Sequence, residues 1–158
     1  NSKVLNVYKV ALGSQQEPFA NAEKEIGNVH LLWHGTRVAN ALSIMSKGLL
    51  MPKVSPGQKA GAMFGDGLYF ANQSSKSLQY CDGLFWASGT DTKDKIYMFL
   101  ASVAVGKYQV PKSSLEKKLE KGYDSFWAKA GKSGVRNDEI IVFKPEQVRL
   151  DYLLEIKI

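Results

Sequence analysis

Five segments rich in β-branched and aromatic residues limit most strongly what this chain can fold into. They are VLNVYKVAL (4–12), VHLLW (29–33), KIYMFLASVAV (95–105), EIIVF (139–143) and VRLDYLLEIKI (148–158). Segments of this composition suit the pleated, half-buried surface of a sheet. Helical stretches separate them irregularly, with no repeated strand–helix unit, so we predict an α+β fold with mainly antiparallel sheets.

Three short helices and one long loop are predicted between these strands. The first helix combines apolar residues at helical spacing with a glycine stop: Val38, Leu42, Met45, Leu49 and Gly48. SSKSLQY (74–80) fits a second helix, and SSLEKKLEK (113–121) fits a third, because its Ser113 and Glu116 have capping-box spacing. The stretch 51–67 holds two prolines and four glycines, which indicates a long ordered loop.

EIIVF places a carboxylate at the start of a strand that is apolar on both faces. The isoleucines, valine and phenylalanine that follow Glu139 alternate between the two sides, and a strand apolar on both sides is buried within a sheet. A charge at the end of such a strand needs a partner or a ligand, because an unpaired buried charge is costly. Asp138, immediately before Glu139, is the alternative acid.

Two other polar side chains stand at apolar strands in the same way. His34 ends VHLLWH and precedes Gly35, whose missing Cβ lets another group approach the backbone closely. Tyr69 lies within GLYFA. Each has a purely structural interpretation, His34 as a core histidine and Tyr69 as a packing residue of its strand. Together with Glu139, however, they favour a functional site.

The signatures of several other sites are missing or incomplete. Gly65 and Gly67 form a G-x-G, but the third glycine of the dinucleotide-binding fingerprint is absent. His30 and His34 are four residues apart, yet they lie in a predicted strand and no third zinc ligand is evident, so a structural role is favoured for His30. No G-x-S-x-G surrounds a serine. We therefore predict neither a metal nor a serine nucleophile.

The composition indicates a single globular domain over residues 1–158. Hydrophobic residues make up 44% of the 158, and the single cysteine, Cys81, suits a reducing compartment. No apolar stretch approaches the ~20 residues of a membrane span, and the start lacks the apolar core of a signal peptide. We expect a nuclear or cytoplasmic protein that does not bind membranes. Because the first residue is Asn1 rather than Met, we expect a piece of a longer or processed chain.

The charge of the chain favours polyanionic partners. Its formal net charge is +6, which is typical of proteins that meet nucleic acid or phosphate-bearing ligands. The lysines are dispersed, however, and no run of five like charges occurs. Nucleic acid is therefore one partner to consider, and a merely basic surface is the alternative.

Three sequence blocks, in order, resemble the catalytic domain of the poly(ADP-ribose) polymerase family, within the wider group of ADP-ribosyltransferases. They are LLWHGTR, GAMFGDGLYFANQSSKSLQYC, and NDEIIVF followed by EQV and YLLEI. The similarity runs from about Leu31 to Ile158, and the opening strand VYKV also fits. The resemblance implies two small, mainly antiparallel sheets that form a cleft for NAD+, which is the donor substrate, without a metal.

The resemblance also implies which residues act. His34, Tyr69 and Glu139 map onto the catalytic triad of the family. The implied NAD-binding residues are His34, Gly35, Thr36, Tyr69, Ser77 and Tyr80. In this scheme His34 hydrogen-bonds the adenosine ribose, and the rings of Tyr69 and Tyr80 sandwich the nicotinamide.

Gly35, Thr36, Ser77 and Lys76 complete the implied site. The backbone of Gly35 clamps the nicotinamide carboxamide, in the room that its missing side chain leaves. Ser77 contributes its hydroxyl to the same group, and Thr36 keeps a hydroxyl where the family often has serine. Lys76 faces the acceptor region, and the loop 51–67 covers bound NAD.

The implied function is NAD-dependent transfer of ADP-ribose, as one unit or as a polymer, with release of nicotinamide. Cleavage of the nicotinamide–ribose bond creates an oxocarbenium-like centre, and a carboxylate that holds the neighbouring 2′-hydroxyl stabilises it. Glu139 fits this role. The acceptor is a macromolecule, either the domain itself or another protein, and we expect the domain to be monomeric. A role in the DNA damage response is open.

Two alternatives are weighed against transfer. One is a basic module that binds NAD or nucleic acid without transferase activity, and the intact triad counts against it. The other is an NAD glycohydrolase that uses water as acceptor. The segment GYDSFWAKAGKSGVRN before Glu139 is shorter than in long-chain polymerising members, so mono and poly transfer both remain open. The helical regulatory domain and the zinc fingers of DNA-activated members are not expected in these residues.

Overall fold

Two four-stranded sheets form the framework of the computed structural model, which describes residues 2–52, 63–81 and 95–158. The first sheet contains β1 (Lys3–Lys9), β2 (Val29–Gly35), β4 (Lys95–Ala104) and β8 (Val148–Lys157), in the order β1-β8-β4-β2. The second contains β3 (Leu68–Phe70), β5 (Tyr108–Gln109), β6 (Ser125–Ala128) and β7 (Glu139–Val142), in the order β3-β7-β6-β5. All described pairs of neighbouring strands are antiparallel except β5 with β6. This arrangement confirms the predicted α+β class.

Three α-helices and one 3-10 helix accompany the described strands. They are α1 (Gly13–Ile26), α2 (Val38–Lys47), α3 (Ser74–Leu78) and the 3-10 helix Pro145–Gln147. The helices predicted after HGTR and within 74–80 are therefore confirmed. In the part of the chain that the structure describes, no helix is both long and apolar enough to cross a membrane.

Helix α2 ends where the sequence predicted, but one residue of its predicted apolar stripe faces solvent. Gly48 has a φ of +75° and donates its N–H to the carbonyl of Ile44 over 2.8 Å. The buried residues of the helix are Ala41 and Ile44, whereas Leu42 is 83% exposed. The predicted stripe was thus wrong for Leu42, whereas Met45 and Leu49 contact the core as expected.

The helix predicted over 113–121 is wrong. Backbone N–H groups in and next to this segment donate to side chains instead of to helical carbonyls. The Lys112 N–H donates to Glu116 at 2.9 Å, and the Glu120 N–H donates to Gln109 at 2.9 Å. Of the two leucines that suggested a helical stripe, Leu115 is 86% exposed and Leu119 is partly buried. The segment follows local turns because side-chain hydrogen bonds compete with the helical pattern.

Helix α1 lies in a region where the sequence predicted no element. It has no side-chain N-cap and contains Pro18. Phe19 and Ala22 are buried against Ala104 of β4, with Ile26 beside them. Because its start lacks a side-chain cap, the helix depends on this tertiary packing for its stability.

The main core lies between the two sheets. Leu32, Phe99 and Leu150 reach it from the first sheet, and Phe70 and Ile140 reach it from the second. All four residues of β7 are buried, and this strand lies between β3 and β6. The expectation that EIIV is buried on both faces is confirmed.

A backbone pair joins the two sheets near the end of β2. The Trp33 N–H donates to the carbonyl of Ala71 at 2.9 Å, and the Ala71 N–H donates back to Trp33 at 3.0 Å. Because Ala71 directly follows β3, this pair places the end of β2 beside the end of β3. The junction brings the residues singled out in the sequence to one place.

Candidate active site

His34, Tyr69 and Glu139 meet at the junction of the two sheets. In the antiparallel pairing of β3 with β7, Tyr69 is opposite Ile141 and Phe70 is opposite Ile140. The residues next to this last pair are Ala71, which pairs with Trp33, and Glu139, which begins β7. Three strand ends therefore converge although their residues are far apart in the chain.

His34 is held by its Nδ1 atom, which leaves Nε2 as its other polar group. Nδ1 donates to the backbone carbonyl of Tyr69 over 2.9 Å, and the ring lies 5.6 Å from the ring of Phe70. Burial lowers the pKa of His34, although the bond to the Tyr69 carbonyl opposes this shift. A neutral ring that donates from Nδ1 presents a lone pair at Nε2, which can accept from a hydroxyl.

The hydroxyl of Tyr69 is engaged on both sides. It accepts from the N–H of Phe64 at 2.9 Å and donates to the carbonyl of Gly65 at 2.7 Å. The pKa of Tyr69 is raised to about 12, chiefly by burial; the Phe64 N–H opposes the shift, and the nearby charge of Glu139 adds to it. The side chain is therefore neutral, and its ring is fixed at both ends, by β3 and by the turn at residues 64–65.

Glu139 is ion-paired with Lys76 at the end of β7. The Lys76 Nζ lies 2.8 Å from Oε1 of Glu139, and their side chains are 15% and 8% exposed. Burial by itself lowers the pKa of Lys76, but the hydrogen bond and the negative charge of Glu139 outweigh it, so the pKa is raised. Lys76 therefore stays protonated, and it contacts the Glu139 carboxylate in a site with little access to water.

Lys76 also contacts Tyr80, one turn further along. Its Nζ lies 3.3 Å from the Tyr80 hydroxyl oxygen and 5.2 Å from the centre of that ring. Residues four apart share one side of a helical turn, which explains why Lys76 and Tyr80 meet. Tyr80 remains 39% exposed. A ring face at the mouth of the site is therefore accessible to a flat ligand.

Gly35 is required for a reason other than the one that the sequence suggested. A Cβ at this position would overlap the backbone carbonyl of Ser77 in α3. The expectation that the missing side chain leaves room for a carboxamide is therefore wrong, because Ser77 fills that room. The backbone of Gly35 nevertheless faces the site. The N–H and carbonyl groups of residues two apart on a strand point the same way, and those of Trp33 point away from β4, toward Ala71.

Ser77 and Thr36 are both buried but have different neighbours. Ser77 is 4% exposed, and its carbonyl accepts from the Tyr80 N–H at 3.1 Å. Thr36 is 8% exposed, and its hydroxyl lies 3.5 Å from the Asn40 amide in α2. Ser77 thus belongs to the group around Gly35 and Tyr80, whereas the described hydrogen bond of Thr36 connects it to α2.

Asp138 and His30, the alternatives to Glu139 and His34, have structural contacts. Asp138 accepts from the Trp127 indole N–H at 2.8 Å and from the Ala130 N–H at 2.9 Å. His30 contacts Asn28 at 3.0 Å and packs edge-on against Trp127, with ring centres 5.1 Å apart. These contacts favour Glu139 and His34 as the functional members of each pair.

Sequence reasoning missed two features of the site. It did not pair Lys76 with Glu139, and it did not link Tyr69 to residues 64–65. The FGDG turn was the available signal for the second. The proposed covering role of 51–67 falls largely on 53–62, outside the described residues. Within 2–52, 63–81 and 95–158, no three His, Cys, Asp or Glu side chains form a group that could hold a metal ion.

Comparison with known proteins defines the family. The family model for the poly(ADP-ribose) polymerase catalytic domain matches residues 1–137. The chain therefore belongs to this family, which confirms the resemblance noted in its three sequence blocks. The matched range ends two residues before Glu139.

Relatives with this similarity differ greatly in length. Poly [ADP-ribose] polymerase 2 of Caenorhabditis elegans is 30% identical over 156 residues, which cover 81% of this chain and 27% of that protein. The mouse protein mono-ADP-ribosyltransferase PARP4 is 29% identical over 162 residues, 96% of this chain and 8% of its own. The putative poly [ADP-ribose] polymerase-like 100L of Invertebrate iridescent virus 6 is 29% identical, and 87% of it is covered. The chain thus spans about a quarter or less of the first two relatives and most of the third.

Proposed function

We propose that residues 1–158 form a single catalytic domain that cleaves NAD+ and transfers its ADP-ribose to a macromolecular acceptor, releasing nicotinamide. The observation that carries this proposal is the convergence of His34, Tyr69 and Glu139 from three strands at one junction. Membership of the poly(ADP-ribose) polymerase family supports the same chemistry. We infer that NAD+ is the donor substrate.

The two ends of NAD+ are assigned to different groups of the site. The free Nε2 of His34 accepts from a hydroxyl of the adenosine ribose. The nicotinamide lies against the rings of Tyr69 and Tyr80, since an aromatic face attracts a flat cationic ring by contact area and by charge. The carboxamide binds the backbone of Gly35 and the hydroxyl of Ser77, with Thr36 beside them.

Glu139 acts on the reacting carbon through the neighbouring hydroxyl. When the ribose C1′–nitrogen bond breaks, the bonding electron pair leaves with nicotinamide, and positive charge develops on the ribose. A buried carboxylate that accepts from the 2′-hydroxyl stabilises this charge, and it is strong there because little water competes. The acceptor nucleophile then bonds to C1′ and loses its proton.

Lys76 holds the Glu139 carboxylate in place before NAD+ arrives. A buried carboxylate without a partner is costly, and Lys76 offsets that cost at 2.8 Å. Because Lys76 also reaches the Tyr80 hydroxyl, it holds the carboxylate and one wall of the nicotinamide pocket together. This position also lies beside the path of an incoming acceptor.

We assign the acceptor to a protein, either this domain or another, and consider nucleic acid as a second partner. Residues 107–138 hold eight basic and four acidic side chains, and so +4 of the formal net charge of +6. This stretch leads directly into Glu139, so its charge favours a polyanion near the site. The proposal includes a monomeric domain in the nucleus or cytoplasm and leaves the number of transferred units to measurement.

Isotopically labelled NAD+ tests the function. The wild-type chain, incubated with label on the adenylate part, is expected to label itself or an added protein and to release one nicotinamide per unit. Mass spectrometry of the product counts the ADP-ribose units and separates mono from poly transfer. Nicotinamide release without labelled macromolecule would instead indicate a glycohydrolase, and NAD binding without release would indicate a binding module.

A binding measurement tests how NAD+ is placed. We expect His34→Ala to raise the Kd for NAD+ about tenfold, the effect of losing one hydrogen bond to a buried group. His30→Ala, on the same face of β2, is the matched control and should leave the Kd within about twofold. Equal effects of the two substitutions would contradict the role given to His34.

A further inference from the structure

The Tyr69 hydroxyl is a structural tie rather than a group aimed at substrate. A phenolic hydroxyl has one proton to donate, and here it is given to the Gly65 carbonyl at 2.7 Å. The oxygen in turn accepts from the Phe64 N–H at 2.9 Å. Tyr69 can therefore contact a ligand with its ring but not with its hydroxyl proton, and the turn at residues 64–65 fixes the position of that ring.

The turn is itself supported from outside the site. Gly65 has a φ of +95°, and a Cβ there would lie 2.5 Å from the backbone carbonyl oxygen of Lys117. The peptide of Lys117 thus lies directly against the turn. Any residue other than glycine at position 65 would displace either the turn or the Lys117 peptide.

An apolar contact fixes the same turn. Phe64 is fully buried, lies 6.4 Å from the ring of Phe126, and belongs to a cluster that includes Ile141. Four partly buried residues pack on this cluster: Tyr69, Leu119, Val135 and Phe143. Leu119 therefore lies on the same small core as the residue whose N–H holds the Tyr69 hydroxyl.

The segment 113–121 offers an internal contrast. Leu115 and Leu119 are four residues apart in a segment without helical structure, and Leu115 is 86% exposed. Leu119, in contrast, is the leucine of this segment that packs on the Phe64 cluster. The two leucines are thus chemically identical probes, one on the support of the turn and one in solvent.

We propose that Leu119 and the Lys117 backbone are positioning elements for Tyr69: they hold the turn at Phe64–Gly65, and the turn holds the tyrosine ring in its stacking orientation. The inference rests on the proposed function for its catalytic consequence. The physical reason is that a misplacement of about 1 Å at a reacting group can cost about 10²-fold in rate. A segment outside the cleft therefore tunes how NAD+ is bound.

Amide hydrogen exchange tests the structural half without any need for activity. In Leu119→Ala we expect the Phe64 N–H to exchange at least about tenfold faster than in wild type, because its acceptor on Tyr69 is no longer fixed. Tyr69→Phe, which removes that acceptor, should do the same. Leu115→Ala should leave Phe64 within about twofold. Unchanged protection of Phe64 in Leu119→Ala would overturn the proposal, even if the chain proved inactive toward NAD+.

Steady-state nicotinamide release tests the catalytic half. We expect Leu119→Ala to lower kcat/KM for NAD+ about tenfold, mainly through a higher KM, and Leu115→Ala to change it less than about twofold. In a Tyr69→Phe background, Leu119→Ala should add less than about twofold, because the tie on which it acts is already absent. Fully additive losses would show that Leu119 acts elsewhere and would overturn the assignment.

A milder variant covers the case in which Leu119→Ala does not fold. Leu119→Val removes one methylene from the contact and should show the same KM increase and the same faster Phe64 exchange, each about threefold. Normal KM and normal exchange in a folded Leu119→Val would count against the proposal. If wild type released no nicotinamide, the proposed function would fail, whereas the exchange pattern would still decide the role of Leu119.

Discussion

Two buried glutamates of this fold are paired with lysines, and they differ in what else they touch. Glu139 of β7 lies 2.8 Å from Lys76, and Glu155 of β8 lies 2.6 Å from Lys95. The two carboxylate side chains are almost equally shielded, at 8% and 7% exposed. Burial and an ion pair therefore do not separate a structural acid from a functional one.

The remaining hydrogen-bond partners do separate them. Glu155 also accepts from the Asn6 amide at 2.6 Å and from the Tyr8 hydroxyl at 3.2 Å, so its carboxylate connects β1, β4 and β8. In the described parts of the chain, Lys76 is the partner found for Glu139. A carboxylate can accept about four hydrogen bonds. Glu155 uses its capacity within the fold, whereas Glu139 keeps acceptor capacity at the junction where we place the ribose.

The strongest test of this comparison makes the same substitution at both positions. Glu139→Gln should lower kcat for nicotinamide release by about 10²–10³-fold with little change in the Kd for NAD+, because it removes charge stabilisation that matters only in the transition state. Glu155→Gln should keep kcat within about threefold but lower the thermal midpoint more than Glu139→Gln does. Calorimetry measures the thermal midpoint of both variants, and steady-state kinetics measures their kcat. A large kcat loss in Glu155→Gln would erase the distinction.

The burial of Glu139 could be predicted from sequence, but its partner could not. EIIV is apolar on both faces, and this local pattern correctly placed Glu139 at the end of a buried strand. Lys76 reaches it from α3, a contact set by tertiary packing across the sheet junction. The sequence around Glu155 did not predict its hydrogen bonds, because the three donors come from β1 and β4.

Gly35 and the segment 113–121 show why the other predictions failed. The glycine was correctly singled out, but the group that approaches it is the backbone of Ser77, forty-two positions later, rather than a ligand. In 113–121 the spacing of polar and apolar residues fits a helix, yet Glu116 and Gln109 side chains hold the backbone in turns. Both predictions were wrong because they considered only the spacing of residues, which does not show which groups contact the backbone in the folded chain.

The lysines provide the second test, with a smaller expected effect. Lys76→Gln removes the charge beside Glu139 and the donor to the Tyr80 hydroxyl, so we expect kcat/KM for NAD+ to fall about tenfold. Lys95→Gln is the matched control. Lys95 is 51% exposed and lies in the other sheet from β7, and its loss should change kcat/KM by less than about twofold. Similar losses in both variants would mean that the Lys76 pair is merely structural.

Acid stability provides the third and smallest test. The hydrogen bond from Lys95, followed by that from Asn6, holds the pKa of Glu155 below its ordinary value. A lowered folded-state pKa contributes stability that is complete above the unfolded-state pKa of about 4.3 and is lost as the pH falls through the folded value. The free energy of unfolding of wild type should therefore exceed that of Glu155→Gln at pH 7, and the gap should shrink below about pH 4. Urea unfolding at both pH values measures it. A gap that stays constant down to pH 3 would show that the charge of the Glu155 carboxylate does not contribute. The structural role of Glu155 would then depend only on how β1 packs.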